Sequence, residues 1–127
     1  MIVVTGGAGF IGSNFVLDWC AQNQETVLNI DKLTYAGNLE NLASLKNNAQ
    51  HIFVQADIAN GELMLELLTK HQPRAIINFA AESHVDRSIS SAMPFAHTNF
   101  LGLTNLLEGF RDFCKGRFIQ VSTDEVY

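Results

Sequence analysis

Three short stretches of this sequence carry side chains suited to chemistry. One is Val121-Ser122-Thr123-Asp124-Glu125-Val126-Tyr127, where two carboxylates stand side by side behind an apolar run. Adjacent carboxylates repel, and burial at a strand end penalises both charges. Unequal surroundings then drive their pKa values apart, leaving one as an acid and the other as a base. Thr123 adds a hydroxyl to the same rim. The residues read equally as two surface acids at the end of a strand.

The second stretch is Thr5-Gly6-Gly7-Ala8-Gly9-Phe10-Ile11-Gly12. It satisfies G-x-G-x-x-G through Gly7, Gly9 and Gly12, and T-G-x-x-G-x-x-G through Gly6, Gly9 and Gly12. Its turn needs a positive φ, which glycine adopts without a Cβ penalty. A side chain at Gly9 would keep a pyrophosphate from the backbone. Behind it, a helix N-terminus offers unpaired N–H groups and a dipole of roughly half a charge. At Gly12 the missing Cβ lets helix and sheet pack closely. Asp31 ends the next apolar run 19 residues after Gly12, close to the spacing of an acid that binds the adenosine ribose diol. A carboxylate there repels a 2′-phosphate. Lys32 softens that repulsion, and the balance favours NAD over NADP.

The third stretch, Phe79-Ala80-Ala81-Glu82-Ser83-His84-Val85-Asp86-Arg87-Ser88, has two small residues and then a dense polar run. Small residues let a dinucleotide lie against the backbone at the carboxyl end of a central strand. His84 reads as structural rather than as a substrate contact. Asp57, in Gln55-Ala56-Asp57-Ile58, stands where a carboxylate meets the exocyclic amine of adenine, with Ile58 against the ring. Asp57 or Asn60 also fits as the cap of the helix that follows. His51, His71 and His97 have no metal-ligand spacing, and no metal is expected.

Elements of regular structure must hold these stretches. Ile2–Thr5, Val27–Ile30, His51–Val54, Ala75–Phe79 and Phe118–Val121 are near-continuous apolar runs, the pattern of strands buried on both faces of a parallel sheet. Between them run helical patterns. Ile11, Phe15, Val16, Trp19 and Cys20 form one stripe, and Leu63, Leu67 and Leu68 another before Gln72-Pro73. Asn38 caps a shorter helix with Leu39, Leu42 and Leu45 on one side. Pro94 opens the last helix, whose buried face is Leu103, Leu106, Leu107 and Phe110. The alternation predicts an α/β, Rossmann-like doubly wound parallel sheet of five strands in the order 3-2-1-4-5. Its ligand crevice lies between strands one and four.

Composition narrows the partners. The chain has 127 residues, 47% hydrophobic and 17% charged, which suits one domain with a real core. Eight Lys+Arg against thirteen Asp+Glu give a net charge of −5. That balance argues against nucleic acid, whose phosphates need a basic footprint. No run approaches ~20 apolar residues, so no membrane span is expected. Cys20 and Cys114 lie far apart, which fits a reducing compartment and a cytoplasmic location.

Together, Thr5–Gly12, Asp31–Leu39, Ala80–Ser88 and Ser122–Tyr127 resemble the dTDP-glucose 4,6-dehydratases. These are NAD-dependent lyases of the extended short-chain dehydrogenase/reductase superfamily. The glycine loop alone points only to the superfamily, whereas Thr123-Asp124-Glu125 and Ala80-Ala81-Glu82-Ser83-His84 are specific to sugar-nucleotide 4,6-dehydratases. The resemblance implies that Phe10, Ile11, Asp31, Lys32, Leu33, Thr34, Asp57, Ile58, Phe79, Ala80, Ala81, Glu82 and Thr98 line the NAD site. It further implies that Ser83 and Thr123 touch the glucose. The implied reaction oxidises C4 of the sugar, removes water across C5 and C6, and returns the hydride to C6. Glu125 takes the C5 proton and Asp124 protonates the leaving C6 hydroxyl. The nearest alternatives are a UDP-glucose 4,6-dehydratase and a related sugar-nucleotide epimerase. From another class comes a non-catalytic dinucleotide-binding module.

One departure stands out. The superfamily's oxidation step uses a Tyr-x-x-x-Lys pair, in which lysine lowers the pKa of the tyrosine base. Here Tyr35 is followed four residues on by Leu39, and Tyr127 is the last residue. The expectation is therefore an NAD-binding Rossmann domain over 1–127 that forms the amino-terminal part of a longer enzyme. Later strands and the substrate lobe are absent from it. On this reading the 127 residues bind NAD without turnover, and the full-length enzyme is a homodimer. An open Phe118–Val121 edge is expected to favour self-association of the shorter chain.

Overall fold

The computed structural model describes residues 1–33, 38–80, 97–113 and 116–121. Five strands form the sheet: β1 (Ile2–Thr5), β2 (Val27–Asp31), β3 (His51–Gln55), β4 (Ala75–Asn78) and β5 (Arg117–Gln120). All neighbouring pairs are parallel, in the order β3-β2-β1-β4-β5. The expected topology is observed, with strand ends within one residue of those read from the apolar runs.

Three α-helices and one 3₁₀ segment join the strands: α1 (Phe10–Gln22), α2 (Gly61–His71), α3 (Leu103–Phe113) and the 3₁₀ turns of Leu39–Leu45. A π-helical stretch, His97–Gly102, leads directly into α3. Pro94 lies outside the described residues.

Alternation along the strands divides the core between the two faces of the sheet. Val3, Leu28, Ile30 and Ile76 pack with Met64 and Leu68 of α2 and Leu106 of α3. Ile2, Val4, Val27 and Ile77 pack with Val16 of α1 and with Leu42 and Leu45 of the 3₁₀ segment. Every residue of β1, β2 and β4 is buried. Full burial does not extend to β3 and β5, which are only partly covered. Both end the described sheet, so each has a neighbour on one side alone. Ile119 of β5 and Val121 just after it are exposed.

Three apolar side chains depart from the stripes expected of them. Ile11 is 62% exposed because it sits in the first turn of α1, beyond the sheet's edge and beside the glycine loop. Leu107 is 45% exposed, since Leu106 takes the sheet-facing position of α3. Leu39 is exposed at the start of the 3₁₀ segment, while Leu42 and Leu45 are buried.

Helix ends follow local chemistry. Asn38 accepts the Glu40 N–H at the start of the 3₁₀ segment. Asn60, not Asp57, caps α2 by accepting the Leu63 N–H. Left-handed Gln72, with φ 42°, ends α2 one residue before Pro73.

Strand starts opposite the loop crevice are tied together by charge. Arg74, just before β4, forks onto Glu25, just before β2, at 2.6 Å through both Nε and Nη2. This hydrogen-bonded guanidinium is the main cause of a Glu25 pKa lowered from 4.5 to about 2. The Met1 amino group also donates to Glu25 at 3.0 Å. No helix among the described residues is long and apolar enough to cross a membrane.

Candidate functional site

The glycine loop leaves β1 through Gly6, whose φ of +75° is the positive value the turn requires. A second constraint acts there: a Cβ on Gly6 would stand 2.6 Å from the Ala80 backbone nitrogen. The chain leaving β4 thus passes directly against the loop leaving β1, at the break in strand order. Gly9 forms the N-cap of α1 in an extended conformation and makes no side-chain cap. The first turn of α1 carries no acid of its own to occupy its free N–H groups. A Cβ on Gly12 would run into the Gly6 carbonyl, so the close approach at that position is of the helix to the glycine loop itself, where packing of helix on sheet was expected. Phe10 is 80% exposed beside this opening.

Gly7 has a different reason to be glycine. A Cβ there would fall onto the Asn29 carboxamide, with Nδ2 only 2.7 Å away. Asn29 is fully buried in the middle of β2. Its Nδ2 meets His51 Nε2 at 3.2 Å, and its Oδ1 has no partner among the described residues. Burial lowers the His51 pKa from 6.5, which favours the neutral ring.

Asp31 lies where the glycine motif's spacing requires it. The residue is 8% exposed, and both its oxygens accept backbone donors. Oδ2 takes the Ala8 N–H at 2.8 Å and Oδ1 the Leu33 N–H at 2.7 Å. The acid is therefore locked to the glycine loop, with the remaining lone pairs available to hydroxyl donors. Leu33, directly after this turn, adopts φ 60°, an uncommon and costly conformation for a branched side chain. Lys32 Nζ lies 3.3 Å from Asp57 Oδ2. Asp57 Oδ1 accepts the Ala59 N–H at 2.9 Å. Ile58 is buried, and its carbonyl accepts from Asn105 of α3. Its side chain packs where a Cβ on Gly102 would stand, facing the helix.

A polar chain, buried at Thr5 and Asn78 and exposed at Gln120, links the carboxyl ends of three strands. Thr5 Oγ1 donates to Asn78 Oδ1 at 2.5 Å, and Asn78 Nδ2 donates to Gln120 Oε1 at 2.7 Å. The same Asn78 Oδ1 accepts the Ala80 N–H at 3.0 Å. Asn78 so joins the residue before the glycine loop, the segment leaving β4, and the end of β5. Phe79 packs its ring 5.6 Å from Phe15 of α1.

Neither Asn29 nor Asn78 is among the residues singled out from the sequence. A signal existed: each is an amide inside an otherwise apolar strand, and buried amides are placed where partners await them. Of the expected site residues, Gly6, Gly9, Phe10, Ile11 and Gly12 lie on the loop leaving β1 and the start of α1, Asp31 ends β2, and Phe79 and Ala80 directly follow β4. Lys32, Leu33 and Asp57 stand at the adjoining ends of β2 and β3. Thr34, Ala81, Glu82, Ser83, His84, Thr123, Asp124 and Glu125 lie outside the described residues, as does the side chain of Thr98, whose backbone forms the second residue of the π-helical stretch.

Parallel strands in the order 3-2-1-4-5, broken where this loop enters α1, define a Rossmann-like α/β domain. Within that class the chain belongs to the GDP-mannose 4,6 dehydratase family, whose pattern it matches over residues 3–127. It is 55% identical, over 98% of its length, to a dTDP-glucose 4,6-dehydratase of Xanthomonas campestris pv. campestris. Its fold matches a Streptomyces venezuelae dTDP-glucose 4,6-dehydratase double mutant solved with NAD, at a TM-score of 0.92, 44% identity and full coverage of this chain. A UDP-glucose 4-epimerase of Thermotoga maritima matches at a TM-score of 0.86 and 34% identity over 96% of this chain. The likeness to dTDP-glucose 4,6-dehydratases carried by the motifs thus extends along the whole chain. The chain spans 38%, 40% and 37% of these three proteins, respectively.

Proposed function

We propose that these residues are the cofactor-binding, amino-terminal part of an NAD-dependent lyase that converts dTDP-glucose to dTDP-4-keto-6-deoxyglucose. The observation that carries the cofactor half is Asp31. A buried carboxylate held to the glycine loop by the Ala8 and Leu33 N–H groups presents its free lone pairs at the crevice. That arrangement fits a ribose diol and opposes a 2′-phosphate. The open N-terminus of α1 fits the pyrophosphate.

When bound, NAD supplies hydride acceptance at C4 and hydride return at C6. The protein's own groups move protons. Glu125 takes the C5 proton, made acidic by the neighbouring C4 ketone, and Asp124 protonates the departing C6 hydroxyl. Ser83 and Thr123 hold the glucose. These roles rest on the likeness to the dehydratases, at positions where their motifs match this sequence. A Tyr-x-x-x-Lys pair does not occur in the 127 residues, so a protein of these residues alone binds NAD without turnover.

The full enzyme is a homodimer on this reading, supported by the exposed Phe100, Leu101 and Leu107 along one helical run. A cytoplasmic location goes with the free thiol of Cys20. Calorimetric titration tests the cofactor half: saturable NAD binding that Asp31→Ala abolishes is expected, and NADP binding tighter than NAD overturns it. For the chemistry, Glu125→Gln in a full-length enzyme should stop C5 proton exchange with solvent deuterium. Retained exchange refutes the assignment.

A further inference from the structure

We propose that Asp57, by neutralising Lys32, is a second determinant of the choice between a ribose 2′-hydroxyl and a 2′-phosphate. This rests on the reading of the crevice as an NAD site. On sequence alone, a lysine directly after Asp31 is a counter-ion waiting for a phosphate. The structure gives that lysine another partner. Pairing of β2 with β3 runs from Val27↔His51 to Asp31↔Gln55, and the Ala56 N–H continues it by donating to the Asp31 carbonyl at 3.1 Å. The two chains therefore leave the sheet side by side, which brings Lys32 Nζ to 3.3 Å from Asp57 Oδ2.

Asp57 does not depend on Lys32 for its position. Its other oxygen accepts the Ala59 N–H, so its own turn orients the carboxylate and the lysine comes to it. Both side chains are partly exposed, at 46% and 27%, and so border the surface a nucleotide reaches. Asp31, Lys32 and Asp57 together carry one net negative charge. A 2′-phosphate arriving there meets two carboxylates and one ammonium already paired. Removing the Asp57 charge leaves Asp31 and Lys32 in balance and frees the ammonium for the phosphate.

Asparagine at position 57 keeps an oxygen for the Ala59 N–H while discarding the charge, so Asp57→Asn preserves the turn. Binding of NAD and of NADP is measured by calorimetry for the unaltered chain, Asp57→Asn, Lys32→Met and the double variant. The ratio of the two affinities is the readout, because any contact of Asp57 with adenine affects both dinucleotides alike. Asp57→Asn is expected to move the ratio toward NADP by about tenfold, the worth of one charge-assisted hydrogen bond to phosphate. Lys32→Met alone should move it by less than about threefold, and the double variant should lose the gain. A ratio unchanged in Asp57→Asn overturns the proposal. So does a gain that survives in the double variant, since Lys32 then has no part in it. A chain that binds neither dinucleotide fails earlier, at the NAD reading itself, and takes this proposal with it.

Discussion

Replacing Gly7 by alanine tests the loop geometry where the sequence motif says least. The new methyl would stand on the Asn29 carboxamide, which is fully buried between β1 and β3 and already joined to His51. Backbone torsion is not the obstacle, because among the described glycines only Gly6 has a positive φ. Forcing a methyl into a packed site costs roughly 1–3 kcal/mol. Displacing the amide also breaks its bond to His51, worth about 1 kcal/mol. Gly7→Ala should therefore destabilise the chain by about 2–4 kcal/mol.

Asn29→Ala supplies the complementary change, since it opens the space the added methyl needs. Urea unfolding without nucleotide, followed by Trp19 fluorescence, is measured for both single variants and the double. The double variant should recover about 2 kcal/mol relative to the sum of the singles, as expected for two groups competing for one space. Additive losses would show that the methyl meets something other than Asn29, and the packing reason for Gly7 would be wrong.

Three further outcomes follow from the same contacts. Asp31→Ala strands the Ala8 and Leu33 N–H groups, so it should cost about 2–4 kcal/mol in urea unfolding without any nucleotide; a loss below about 0.5 kcal/mol refutes the anchoring role. Asn78→Ala leaves Thr5, Gln120 and the Ala80 N–H without their partner and should cost about 2–4 kcal/mol, whereas Gln120→Ala removes one bond and should cost about 1 kcal/mol; equal losses count against Asn78 as the junction. The Glu25 carboxyl is lowered from 4.5 to about 2, so its contribution is complete above about pH 4.5 and disappears as pH falls toward 2. Allowing for its partial exposure, about 1–2 kcal/mol is at stake, and Arg74→Ala should remove that acid-side slope from unfolding measured between pH 5 and 2.

Much of the fold was legible because parallel strands covered on both faces leave unbroken apolar runs. β1, β2 and β4 show this directly: runs as short as Ile2-Val3-Val4-Thr5 suffice when both faces are covered. The order of strands followed from the alternation of elements and the place of the glycine loop. Exposure at β3 and β5 was not legible from hydrophobicity alone, because their apolar runs look like those of β1. Being at an edge is a property of the sheet, not of the strand. Leu107 illustrates the helical equivalent: Leu106 and Leu107 are adjacent and equally apolar, but only Leu106 reaches the core. Asp31 was visible through its spacing from Gly12. The ion pair that occupies Lys32 was hidden, because it joins residues 25 positions apart through a register the sequence does not state.

Two buried amides, Asn29 and Asn78, and the exposed amide of Gln120 that Asn78 holds, explain how the carboxyl ends of neighbouring strands are kept in register. Asn29 sits under the glycine loop, while Asn78 and Gln120 end neighbouring strands beside it. A buried polar side chain in such a strand costs stability unless it is bonded, and Asn78 is the amide whose bonding is most complete. Asn78 has three partners: the hydroxyl of Thr5, the N–H of Ala80 and the amide of Gln120. Thr5 immediately precedes the glycine loop, Ala80 begins the segment that continues to Glu82 and Ser83, and Gln120 stands three residues before Thr123. Apolar contacts at those positions would be non-directional, permitting β4 and β5 to shift slightly along one another at little cost. Hydrogen bonds of fixed length do not permit that. The register that Asn78 enforces therefore fixes the start of the glycine loop, the segment leaving β4 and the end of β5 from one point, and a change there should disturb all three together.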